Sequence, residues 1–143
     1  MNSNKMTIKF TAISKNESFA RSVIACFALQ LNPSLAEIAD IKTAVSEAVT
    51  NAIVHGYANV NEGEIEMCAS IINNELHIEI SDSGVGIENL EKALQPFYTT
   101  KPEDERSGMG FTIMQSFMDK ISVESTVNKG TKVFMTKTIK TDL

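Results

Sequence analysis

The chain has 143 residues, 43% of them hydrophobic, and a formal net charge of −5. That length and composition predict one globular domain over residues 1–143 and exclude a disordered chain. The acidic balance argues against direct nucleic-acid binding, which needs a concentrated basic surface. No apolar run approaches the roughly 20 residues of a membrane span, and Met1 to Lys5 has no apolar leader core, so a cytoplasmic protein without a membrane partner is expected. Cys26 and Cys68 fall in apolar, periodic segments and are expected as buried, reduced thiols.

Lys5 to Ala12 alternates, with Ile8, Phe10 and Ala12 on one side, and predicts a half-buried strand. Ser14 and Glu17 have capping-box spacing and predict a helix to about Leu31, with Ala20, Val23, Ile24 and Phe27 toward the core. Arg21 lies on another arc of that helix. Asn32-Pro33 stops it, because the residue before proline avoids helical angles. Ser34 and Glu37 form a second box opening a long helix to about Tyr57. Ile38, Ile41, Val45, Ala48 and Ala52 make its apolar stripe. Glu47, Asn51 and His55 stack at four-residue spacing on a polar stripe, with Thr50 beside them. His55 reads as a helix-end residue bonding locally.

Glu64 to Ile72 and Glu75 to Ile80 alternate around Asn73-Asn74, a pair that tolerates positive φ in a tight hairpin turn. A short helix is predicted over Glu88 to Leu94, ended by Pro96. The charged stretch Pro102 to Ser107 reads as a loop, within a lid over about residues 96–110. Phe111 to Met118 predicts a helix with Ile113, Met114 and Phe117 as its apolar positions. Ile121 to Val127 and Thr131 to Ile139 predict a final hairpin. The fold class is therefore α+β, with a sheet mostly antiparallel or mixed and helices on one face.

Three groups of residues suggest chemistry. Asp82-Ser83-Gly84-Val85-Gly86 follows a strand; its carboxylate can accept from a ligand amine, and its glycines let a ligand near the backbone, although Asp-Ser-Gly is also ordinary turn chemistry. Glu47 and Asn51 aim a carboxylate and an amide oxygen at one point. One amide oxygen and substrate phosphates are enough to hold Mg²⁺, leaving Glu47 to orient or deprotonate a nucleophile; a solvated helix face has the same spacing. Gly108 and Gly110 precede a helix, whose first N–H groups attract phosphate. Lys101 and Arg106 in the intervening loop are placed to fold over a polyphosphate, with Arg106 able to reach a terminal phosphate. No P-loop motif and no Cys/His metal spacing occurs.

Taken in order, Glu47-x-x-x-Asn51, Asp82-x-Gly84-x-Gly86, Phe97-Tyr98-Thr99-Thr100-Lys101, Gly108-x-Gly110 and Gly130-Thr131 resemble the sequence boxes of the GHKL ATPase superfamily across nearly the whole chain. The resemblance implies the Bergerat fold, a two-layer sandwich with a mixed, mostly antiparallel sheet and ATP or ADP between helices and lid. It implies that Asn51 ligates Mg²⁺ and that Asp82, helped by Thr131, accepts from the adenine amino group. It implies that Gly84, Gly86, Gly108 and Gly110 shape pocket and lid, that Thr50 lies near the phosphates, and that Glu47 is the general base.

Within that superfamily, Glu17 to Arg21 and Ala44 to Tyr57 are similar to the anti-sigma factor serine kinases, the sporulation group first and the stress-response group next. This implies a kinase that sequesters a sigma factor and phosphorylates an anti-anti-sigma protein on a serine. It also implies a homodimer and a partner contact at Arg21, and the first strand offers an exposed edge for the dimer. The acceptor is expected in trans. An ATP-gated sigma-binding module without transferase activity and a histidine kinase ATPase fragment are the rival readings.

Overall fold

The structure is a computed structural model that describes residues 3–58, 62–95 and 110–140. Its strands are β1 (Ser3–Thr11), β2 (Glu64–Ile72), β3 (Glu75–Asp82), β4 (Lys120–Thr126) and β5 (Gly130–Thr138). Its α-helices are α1 (Lys15–Ala28), α2 (Leu35–Asn51), the single turn α3 (Leu90–Ala93) and α4 (Gly110–Phe117). The strands form one sheet in the order β1-β2-β3-β5-β4, with every neighbouring pair antiparallel. The expectation of a mostly antiparallel or mixed sheet is thus met at its antiparallel end.

Period-two alternation decides the layers. Ile65, Met67, Ala69 and Ile71 of β2, Leu76, Ile78 and Ile80 of β3, and Val133 and Met135 of β5 turn to one face and join one core with Ala20, Ile24, Ile41, Val45 and Val49 of the helices. Burying one such large aliphatic side chain contributes about 1.5–3 kcal/mol. The other face carries Glu66, Cys68, Ser70, His77 and Glu79, with ion pairs Lys9–Glu66 at 3.6 Å and Lys132–Glu79 at 3.8 Å. Exposed pairs like these contribute about 0–1 kcal/mol, so the apolar side, not the charged one, holds the layers together.

Lys137 breaks the apolar row of β5. It stays buried because its Nζ donates to the Phe117 carbonyl at the end of α4 (2.6 Å) and pairs with Asp40 of α2 (3.6 Å). A cation at a helix C-terminus satisfies a carbonyl left without an intrahelical partner. It fixes α4 against α2 and the sheet.

The two expected capping boxes differ. At Ser34 both bonds form: Glu37 N–H donates to Ser34 Oγ at 3.1 Å, and Ser34 N–H donates to Glu37 Oε1 at 2.9 Å. At Ser14 no side-chain cap forms, because Ser14 is already helical (φ −55°, ψ −35°). Glu17 pairs instead with Arg21 one turn on, at 3.7 Å. The expected single helix to Tyr57 is α-helical only to Asn51; residues Ala52–Gly56 form a π turn closed by Tyr57 N–H on the Ala52 carbonyl at 2.9 Å. The cysteines are free, but neither is fully buried: Cys26 is exposed and Cys68 half-buried. Cys26 lies off the arc of Ala20, Ile24 and Ala28, and Cys68 has the parity of the outer sheet face.

Candidate functional site

β3 runs two residues further than the alternation predicts, through Asp82. Leu76, Ile78, Ile80 and Asp82 therefore share one face, and a carboxylate takes the last core-facing position of the strand. Its Oδ1 accepts from the Gly84 N–H at 2.9 Å, and the backbone N–H of Thr131, opposite on β5, also donates to the carboxylate. Burial pushes the Asp82 carboxyl up; the two N–H groups offset only part of this, so it titrates above the ordinary aspartate range.

The loop after Asp82 is tied on both sides. Val85 N–H donates to the Gly56 carbonyl at 2.9 Å, and Asn128 N–H donates to the Val85 carbonyl at 2.7 Å. Tyr57 Oη accepts from Ser83 N–H at 2.7 Å and donates to the Glu64 carbonyl at 2.6 Å. Ser125 Oγ accepts from Ile87 N–H at 2.8 Å. A Cβ on Gly84 would fall onto the Gly56 backbone carbonyl, so this glycine admits the end of the long helix rather than a ligand. Gly86 differs: it has φ +75° and lines the cleft.

The cleft's helical wall comes from α2 and its π turn. Ala48 and Ala52 are too small to fill the space above them, and Asn51 and His55 flank it. π turns inside helices often mark functional sites. Across from Asn51, α4 begins at Gly110. A Cβ there would sit 3.1 Å from Asn51 Nδ2 and 3.4 Å from Glu47 Oε2, so both polar groups lie directly against the start of α4. The cleft measures about 510 Å³ and is lined by Asn51, Asp82, Gly86, Phe111 and Thr131, among others. That is within the usual range for a small-ligand site.

Asn51, Asp82, Gly86, Gly110 and Thr131 thus come together around one cavity, with Glu47 beside Asn51. Two expected residues, Thr50 and Gly84, are not on its wall. Arg21 sits on α1 in its pair with Glu17. Lys101, Arg106, Gly108 and most of the expected lid lie outside the described residues. The sequence reading passed over Gly56, Tyr57 and Ser125. Gly56-Tyr57 signalled only a helix end, and one serine in an alternating strand carries no signal.

An antiparallel sheet, one helical layer and a cleft with an amide at one end and a carboxylate at the other define a nucleotide-binding domain of the kinase-like ATPase type. The chain belongs to the histidine kinase-like ATPase domain family, whose model matches residues 11–137. Within that family it is 60% identical to the anti-sigma F factor of Clostridium acetobutylicum over 134 residues, covering 94% of this chain and 93% of that one. It is 54% identical to the anti-sigma F factor of Bacillus licheniformis, over 94% of this chain and 92% of that one. Among solved structures, it resembles the RsbU and RsbW domains of Rv1364c from Mycobacterium tuberculosis, with TM-score 0.69 at 19% identity, covering 95% of this chain and 32% of that one. The nucleotide-free catalytic domain of histidine kinase ThkA matches with TM-score 0.60 at 18% identity, covering 94% of this chain and 96% of that one. Those two likenesses concern the fold. Among the described residues, no helix is long and apolar enough to cross a membrane.

Proposed function

We propose that the protein is a cytoplasmic, ATP-dependent protein serine kinase that also sequesters a sigma factor. The observation that carries this reading is that Asp82, against Gly56, and Asn51, against Gly110, line one cavity. The relatives named anti-sigma F factor, at 54–60% identity, support the sigma factor as partner; the sporulation role rests on the resemblance of Ala44 to Tyr57 to the sporulation group of anti-sigma kinases.

The residues fit the nucleotide. Asp82 keeps acceptor lone pairs beyond those used by Gly84 and Thr131 and turns them to the cleft, where they suit an adenine amino group. Thr131 stands beside it, and Gly86 leaves room for the base. At the far end the Asn51 amide oxygen would hold Mg²⁺ along with the phosphates, and the ion would neutralise phosphate charge. Gly110 lets that end of the ligand approach the start of α4, where N–H groups favour anions. Thr50, beside Asn51 on α2, serves the phosphate end from behind the wall, and Lys101, Arg106 and Gly108 belong to the lid over it. Glu47 accepts the proton of the acceptor serine as its oxygen bonds the γ-phosphorus and ADP leaves. Positioning that hydroxyl supplies much of the rate. The acceptor is an anti-anti-sigma protein, the working form is a homodimer, and Arg21 belongs to the partner surface.

The test is transfer of labelled γ-phosphate from ATP to an anti-anti-sigma protein, with capture of a sigma factor by the same preparation. Acid-stable phosphoserine is expected, as is loss of sigma capture in Arg21→Glu with ATP binding intact. ATP binding without phosphoserine would contradict the kinase. Undiminished capture by Arg21→Glu would contradict the partner assignment.

A further inference from the structure

Gly56 closes the π turn at the end of the long helix and is buried. Among the described glycines, positive φ falls on Gly86 and Gly130, so the backbone at Gly56 is open to any residue. Glycine in a helical turn is less favourable than alanine, so something other than backbone angles excludes a side chain here. That something is Asp82. A Cβ on Gly56 would lie 2.8 Å from Oδ1, 2.9 Å from Cγ and 3.0 Å from Oδ2 of Asp82, and these are the three nearest atoms it would meet across the fold.

Near-equal distances to both oxygens and to the carbon between them define a direction. A point in the carboxylate plane beyond the oxygens would be clearly closer to them than to the carbon. The missing Cβ therefore lies over the flat face of the carboxylate. The Gly56 α-carbon, one bond from that position, covers the face and leaves the in-plane lone pairs uncovered. Gly84 N–H and Thr131 N–H engage two of these, and the rest remain for a ligand. Neither partner is free to give way. Those two N–H groups hold the carboxylate, and the Gly56 carbonyl accepts from Val85 N–H at 2.9 Å. A side chain at position 56 would break one of these bonds or turn the carboxylate out of its direction.

We infer that Gly56, which lies outside the sequence boxes of the superfamily, is a positioning residue that fixes the Asp82 carboxylate edge-on to the cleft, so that reading of the purine 6-amino group depends on the bare backbone at the end of the π turn. This rests on the nucleotide reading above and deepens it.

The test is competition of ATP and of purine riboside triphosphate, which lacks the 6-amino group, against a fluorescent ATP analogue. It is run on the native protein, Gly56→Ala, Asp82→Ala and the double variant, each with a melting curve. A hydrogen bond to a charged group corresponds to about a 10- to 100-fold change in affinity, so native protein should prefer ATP by that order. Gly56→Ala should reduce the preference to within about twofold of Asp82→Ala, and the double variant should lose nothing more. Stability should change sign. Gly56→Ala lowers the melting temperature while Asp82 is present; with the carboxylate gone it raises it by about 2–4 °C, as alanine for glycine does where it fits.

A merely structural role would weaken both triphosphates together and leave the native ratio; that result removes the role of Gly56 and leaves the nucleotide reading standing. An equal loss of stability with and without Asp82 overturns the inference as well. Should Gly56→Ala alone not fold, the double variant must fold, and its failure overturns the inference equally. Native protein that binds no ATP, or binds both triphosphates equally, removes the reading of the base and this inference with it.

Discussion

The two ends of the cleft are built differently. Around Asp82 the parts are mostly backbone: the Gly56 carbonyl, the Gly84 and Thr131 N–H groups and the hairpin at Asn128 all close on one loop, with the Tyr57 and Ser125 hydroxyls holding two of its N–H groups. At Asn51 the parts are side chains on one helix, with Glu47 one turn away and Gly110 against both. A rigid backbone frame suits recognition of a flat base, since nothing has to be ordered on binding. A helix suits a reacting centre because it holds two groups at fixed spacing while the proton carrier stays exchangeable. Substitutions at the first end should therefore register in stability and affinity, and substitutions at the second in rate.

The sharpest break of that contrast is Glu47→Ala. Losing a general base typically costs about 10²–10⁴-fold in rate, so phosphoserine formation should fall by that order while ATP affinity stays within about twofold by calorimetry. Retained transfer would remove the proton-accepting role. Gly84→Ala comes next and acts on the other end. Its Cβ meets the Gly56 backbone, which cannot swing aside, and overpacking of this kind costs about 3 kcal/mol. The melting temperature should drop by about 10 °C; an unchanged melting curve would mean that the loop is not pinned to the helix end.

The smallest effect is the most diagnostic. Burial raises the Asp82 carboxyl above its unfolded value, so the folded state binds that proton more tightly. The protonated form thus favours folding below the unfolded value, and this is lost as pH rises through the elevated folded one. At neutral pH the ionised carboxylate in the empty cleft costs stability. Asp82→Asn should therefore melt slightly higher than the native protein at pH 7, with the gap closing as pH falls below the ordinary aspartate range. A native protein more stable than the variant at neutral pH would contradict the burial account.

Much of the frame was legible. Strand parity placed the core of β2 and β3 correctly, and Ser34 and Glu37 announced their box, because alternation and capping are local. The same local logic failed at Ser14, whose backbone is already helical, and at Gly84, whose close neighbour is the protein's own Gly56 and not a ligand. Thr50 illustrates another limit: adjacency in sequence to Asn51 turns the side chain about 100° around the helix and off the cleft wall. Tyr57 and Ser125 act through hydroxyls that reach segments 26 and 38 residues away, and no spacing rule covers contacts of that range.

The most direct test is a calorimetric titration of Mg²⁺-ATP into the native protein and Asp82→Asn at pH 7.5. A hydrogen bond to a charged group contributes about 1.5–3 kcal/mol, so the variant should bind about 10- to 100-fold more weakly while remaining folded and no less stable when empty. Equal affinity in the two proteins would contradict the claim that this buried carboxylate reads the purine.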